Sequence, residues 1–227
     1  MSAAESIPDT QAGPTDRVVP AARPSKSERT RRLILASAER HFATLGFEKT
    51  RLEDVADDIG MVGSAILYHY GDKRELYRAV LDDLVAGLLE SVDAAVEAAS
   101  SPSRRLEGLV RASVRVIAAR PALASIVLRE SMSDDPDLQR RSAPFIERFV
   151  RHFEEGARTG AIHPVRSDPY HFISAVSGAV LFYVAALPRL VPERPNDHLA
   201  PDRMDALEGD AIEITRRLLG LTEPQSI

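Results

Sequence analysis

Residues 50–73 read TRLEDVADDIGMVGSAILYHYGDK. Thr50-Arg51-Leu52-Glu53 has the form of a capping box, in which the threonine hydroxyl accepts the amide three residues on and the glutamate reaches back. Leu52, Val55, Ala56 and Ile59 then repeat at helical spacing. Gly60 follows, where a helix stops and the backbone often needs positive φ. A second short apolar pattern, Ala65, Ile66 and Tyr70, follows the turn, with Ile66 and Leu67 expected to face inward. Asp72 with Glu75 repeats the box and opens a longer helix. A helix, a glycine turn and a second helix form the helix-turn-helix arrangement, which places one helix in the DNA major groove.

Outside this stretch, Ile34, Leu35, Ala38, Phe42, Gly46 and Phe47 continue a pattern with Thr50, Leu52, Asp54, Val55, Ala56, Gly60 and Met61. It ends through Ile66, Tyr68, His69, Tyr70, Lys73 and Leu76. At this spacing, without a gap, the segment Arg31 to Leu76 resembles the DNA-binding domain of the TetR family of bacterial transcriptional regulators. The resemblance implies an all-α protein of about nine helices, with a three-helix DNA-binding head and a larger helical body for ligand binding and dimerisation. It also implies a double-stranded DNA operator, a homodimer, a small-molecule effector and a cytoplasmic setting. The family usually has a serine where Val62 stands, and Gly63 or Ser64 is then left to cap the third helix. Leu67 replaces the first of two tyrosines, and Ser37-Ala38 stands for an alanine pair.

The DNA-contact candidates are Lys26, Arg31, Thr50, Arg51, Gly63, Ser64, Ala65, Tyr68, His69 and Lys73. Ser64, Tyr68 and His69 are expected to point outward. His69 is a phosphate contact by the resemblance. Lys73 sits at a helix N-terminus, where amide and ammonium both suit a phosphate. The third helix holds no Arg or Lys, so the arginine–guanine pair is not available from it.

The chain of 227 residues is long enough to bury a sizeable core. Hydrophobic residues make up 44% and charged residues 28%, the balance of a globular protein. The net charge of −5 excludes a protein that coats nucleic acid generally, but not a local basic face, and Lys26, Arg29, Arg31 and Arg32 cluster ahead of the first helix. With no cysteine there is neither a disulfide framework nor a thiolate metal site. The longest apolar stretch, Phe172 to Leu187, is short for a membrane span, so no membrane partner is expected.

Residues 1–25 carry Pro8, Pro14, Pro20 and Pro24 without apolar periodicity and read as a disordered arm. The DNA-binding head spans 26–72 and the body 73–222. The first helix, Lys26 to about Leu45, buries Ile34, Ala38, Phe42 and Leu45, and Gly46 ends it. Asp72 to about Ser100 is one long helix with Leu76, Val80, Leu84, Leu88, Val92 and Val96 on a stripe. Further helices follow Ser101-Pro102, Pro121, Pro136 or Ala143, Asp168-Pro169 and Pro201, with Pro188 expected to stop the apolar helix that starts at Pro169.

That apolar helix is rich in small residues and predicts a dimer face through Ala175, Gly178, Ala179, Phe182 and Ala186. The last helix adds Leu207, Ile214 and Leu218. Apolar walls for an effector are predicted from Leu84, Leu88, Val110, Ile126, Phe149, Phe172, Val176 and Tyr183. Arg129 and His152 are the polar points, with Arg115, Glu130, His171 and Tyr183 as further ones. Such walls suit a hydrophobic or amphipathic effector. No phosphate-binding glycine loop, nucleophile elbow or helical histidine pair is present, so no catalytic residue, cofactor or metal is expected. Two functions remain open from sequence. One is a ligand-released repressor, or an activator of the same fold. The other is a helical sensing protein whose DNA head has weakened.

Overall fold

The computed structural model describes residues 25–132, 136–193 and 198–221. Residues 1–24 of the proline-rich arm lie outside them. Among the described residues there are nine helices and no strand. They are α1 (Lys26–Lys49), α2 (Leu52–Asp57), α3 (Gly63–Tyr70), α4 (Lys73–Glu97) and α5 (Pro102–Ala119). They continue as α6 (Ala122–Glu130), α7 (Pro136–Arg158), α8 (Pro169–Leu190, counted as one continuous run) and α9 (Pro201–Leu218).

α1 starts on a complete capping box. The Ser25 hydroxyl accepts the Glu28 amide, and the Glu28 carboxylate accepts the Ser25 amide. Ile34, Ala38 and Phe42 are buried as the spacing predicts. Leu45 is exposed instead, and Ala43 is buried on the face where α6 packs. Gly46 kinks the helix at φ 80°, a conformation that favours glycine, and the Arg129 side chain packs close against it. The kink turns Phe47 back onto Phe42 and Tyr77, the latter two meeting edge to face at 4.8 Å.

Thr50 does not form the expected box. It is buried as the C-cap of α1 and donates its hydroxyl to the Gly46 carbonyl at 2.8 Å, which leaves α2 with no side-chain cap. The Gly46 carbonyl four residues upstream, which also accepts the Thr50 amide at 3.3 Å, takes the hydroxyl in place of the amide downstream. Asp72 does accept the Glu75 amide at 2.8 Å, while Glu75 turns to Arg78 at 2.7 Å. α4 buries Leu76, Tyr77, Val80, Leu81, Leu84, Val85 and Val92 and joins the head to the body.

In the body, α5 is central and packs against α4, α7 and α9. Glu107 on α5 is buried. Arg216 of α9 grips both its oxygens at 3.0 and 3.1 Å, which satisfies a group that would otherwise be costly to bury. α7 runs through Pro144 without a break. α8 runs through Pro188, contrary to expectation, to reach Leu190. A turn of π-helix at Phe182–Ala186 absorbs the missing amide, and Arg189 donates to the Ala185 carbonyl at 2.7 Å. The chain after α7 is tied to the end of α9 by the His163 amide on the Leu219 carbonyl at 2.8 Å.

Candidate nucleic-acid interface and body cavity

α3 is held by its inner residues. Ile66 is fully buried, and the buried Tyr70 ring donates its hydroxyl to the Arg31 carbonyl at 3.0 Å. The Arg31 guanidinium lies 4.3 Å from the Tyr70 ring centre and donates to the His69 carbonyl. Arg31 therefore fixes the C-terminal end of α3, where a cation suits the helix dipole, and is not a free arm reaching outward. α2 is fixed by Ser37, whose buried hydroxyl donates to the Val55 carbonyl at 3.1 Å and to Asp58 at 2.7 Å. That hydroxyl, then Arg40, holds the Asp58 carboxyl below its usual pKa.

The outer face of α3 carries Ser64, Leu67 and Tyr68. Tyr68 is 86% exposed and Leu67 is 45% exposed, so Leu67 does not pack inward as expected. In so short a helix Ile66 and Tyr70 already occupy the inner side. His69 is half-buried, its ring 5.3 Å from that of Tyr68. Gly63 and Ala65 are also half-buried. Val62 is the N-cap residue, and neither Gly63 nor Ser64 supplies a side-chain cap.

Arg51 is exposed 3.9 Å from Glu53, whose side chain borders Gly63 at the start of α3, and Lys26 is exposed at the start of α1. Lys73 donates to the Glu48 carbonyl at 3.0 Å and lies over the Phe47 ring. Thr50 is buried, which removes its side chain from any outer surface.

In the body, one apolar cleft lies between α5, α7 and α8. Of the residues expected to wall it, Val110, Phe149 and Val176 do, and Phe172 stacks on Phe149 at 5.1 Å behind them. Leu84 and Ile126 are buried and Leu88 is half-buried, but none of the three borders the cleft. Val114, Ile117, Ser113, Ile173, Ser177 and Val180 line it and were missed, although they repeat at helical spacing on α5 and α8. Its interior volume is about 20 Å³, well below the roughly 300–1,000 Å³ of a pocket for a drug-sized ligand.

The expected polar points are elsewhere. Arg129 donates to the Ala43 and Thr44 carbonyls, both at 3.2 Å, and so fastens α6 to the last turn of α1. Arg115 makes a two-point bond to Glu208 on α9. His152 is outside the cleft lining, and its Nδ1 is buried 3.7 Å from Glu155. Burial, aided by Arg151, lowers the His152 pKa, so the folded state prefers the neutral ring. The unfolded chain takes up the proton first as pH falls below about 6.5. Stability contributed by His152 is thus present above that pH and is lost as pH falls through the lowered value. A His152→Gln variant is expected to lose stability less steeply than the parent between pH 7 and pH 5 in thermal melts at stepped pH; parallel curves would show that the ring does not titrate on unfolding.

α8 is the most apolar helix, and only 28% of its most hydrophobic window is buried. By length and composition it could cross a membrane, so the apolar run is longer than the sequence reading allowed. Ala175, Gly178, Ala179 and Phe182 form an exposed line on it. A groove of about 300 Å³ between α8 and α9 is lined by Ala179, Phe182, Tyr183, Leu207 and Ile214. Tyr183 therefore belongs to this outer groove and not to the cleft. Ala186 and Leu218 are half-buried beside it.

Residues 34–80 match the model of bacterial regulatory proteins of the tetR family. The HTH-type transcriptional repressor KstR2 of Mycolicibacterium smegmatis is 28% identical over 146 residues, 62% of this chain and 71% of that protein. The HTH-type transcriptional regulator TtgR of Pseudomonas putida is 39% identical over 59 residues, 26% of this chain and 28% of that protein. The structure of the ketosteroid transcriptional regulator KstR2 of Mycobacterium tuberculosis superposes with a TM-score of 0.68 at 21% identity, covering 86% of this chain and 96% of that one.

Proposed function

We propose, from the premise that this chain is a TetR-family DNA-binding transcriptional regulator, that it is a cytoplasmic homodimeric repressor. In this reading two heads span a palindromic or near-palindromic operator, and a hydrophobic or amphipathic effector in the body releases them. The chain acts by binding and carries out no catalysis. The carrying observation is the presentation of α3: inner residues locked by Ile66 and Tyr70, outer residues exposed, cations on either side. The exposed apolar line on α8 supports a self-complementary pairing across a two-fold axis. Lys26, Arg51 and Lys73 hold phosphates, and Gly63, Ser64, Ala65, Tyr68 and His69 face the groove.

Effector entry has to widen the cleft between α5, α7 and α8. The relative KstR2 is named a ketosteroid regulator, which agrees in class with walls made of phenylalanine and valine. Expansion there strains α5, whose C-terminal Arg120 binds Glu39 of α1 and Asp83 of α4. A coupling of about 1–3 kcal/mol through this link would suffice to release DNA.

The test is binding of the purified protein to fragments from around its own gene, at low and moderate salt. Saturable binding to one fragment that survives the salt increase is the expected result, and Lys73→Ala should lower the salt slope by about one unit. Equal binding to all fragments at low salt only would favour the second reading, a sensor with a weakened head. The uncapped N-terminus of α3 at Val62 is the observation behind that reading.

A further inference from the structure

We propose that the head reads its operator mainly through thymine methyl groups, with α3 offering an apolar surface to the major groove; this rests on the DNA-binding reading above. Between Leu52 and Asp72 there is no lysine or arginine, whereas Glu53, Asp54, Asp57, Asp58 and Asp72 are all present. The bidentate guanidinium–guanine contact is therefore absent from both helices of the motif. What α3 does expose is apolar. Leu67 and Tyr68 stand on its outer face, and Val62, 67% exposed, stands at its leading end. Large apolar side chains grouped on one face of a short helix lose free energy in water unless something covers them.

The rotation of α3 is not free to bury them. Ile66 and Tyr70 are fixed inside, the Tyr70 hydroxyl is bonded to α1, and Arg31 holds the His69 carbonyl. The nearby cations are arranged to attract without discriminating. Arg31 is engaged with the end of α3, and Lys73 is held beside the head's own Glu48 carbonyl. Lys26 and Arg51 are exposed and, with Lys73, serve phosphates. Sequence information then has to come from Val62, Leu67 and Tyr68, with Ser64 and the Tyr68 hydroxyl as tolerant polar partners. Thymine is the base that presents a methyl group in the major groove, and it matches such a surface.

The experiment starts from the full-length protein and a pool of randomised duplexes. The expected result is half-sites rich in thymine where α3 docks. Replacing those thymines one at a time with deoxyuridine, which lacks the methyl group, should weaken binding about fourfold for each methyl buried. Leu67→Ala, at an exposed position that the fold does not need, should abolish the penalty at one position and leave the others. Full affinity for the uridine duplexes, or guanine at the contacted positions, would overturn the proposal while leaving a specific regulator in place. Recovery of no sequence above the background would overturn both this proposal and the regulator reading.

Discussion

Replacing Phe42 with alanine is expected to destabilise the head by about 3–5 kcal/mol, the usual cost of removing a fully packed aromatic ring. Phe42 is almost wholly buried, stacked near Phe47 and edge-on to Tyr77 of α4. No neighbour can collapse into the gap, because Phe47 is placed by the Gly46 kink and Tyr77 by the long helix. Domains keep only about 5–15 kcal/mol in total, so the loss takes a large share. DNA binding should vanish well below the temperature at which the parent loses it. Phe42→Leu keeps most of the volume and should cost less than about 1.5 kcal/mol. A denaturant midpoint for Phe42→Ala within about 0.5 kcal/mol of the parent would mean that the ring cluster does not hold the head.

Placing an aspartate at Phe182 is expected to give a folded monomer that no longer holds its operator. Phe182 is 49% exposed beside Ala179, on the line of α8 with so little cover of its own. Burying a carboxylate between two copies of that line costs far more than a single dimer contact returns. The separate chain loses nothing comparable, because the new charge stays in water. Sedimentation should show half the parent mass at micromolar concentration. Specific affinity should fall about 10²–10⁴-fold, since the second head then binds as an independent molecule. Nonspecific binding at low salt should change little, because each head keeps its rim of cations. An unchanged dimer mass would move the interface off this face.

How far the sequence could be read depends on the distance over which each feature is decided. Ile66 and Tyr70 as inner residues of α3 followed from spacing, as did the long stripe of α4 and the capping role of Asp72, whereas Leu67, expected inside by the same spacing, is exposed. Each is set by neighbours within about one turn. The first turn of α1 is legible in the same way through Ser25 and Glu28. Thr50 shows the limit. Its local pattern fits a cap for α2 equally well, and only the Gly46 carbonyl, which accepts both the threonine amide and its hydroxyl, decides which helix Thr50 caps.

The cleft was half legible. Val110, Phe149 and Val176 fell on the right stripes, while Leu84 and Ile126 are as apolar and as buried but face other helices. Periodicity tells which side of a helix is inward and not which helix it meets. Arg129 was out of reach for the same reason. It binds carbonyls at Ala43 and Thr44, some 85 residues away, and no pattern in its own helix marks an arginine destined for another helix's end. Glu107 and Arg216, 109 residues apart, form their buried pair under the same condition. The chain by itself determined an all-helical protein with a DNA-reading motif, because helix periods, caps and breakers act locally. Only the tertiary structure decided which apolar stripes enclose the cleft, which remain open on α8, and which arginines join head to body, because those depend on contacts between helices that share no local signal.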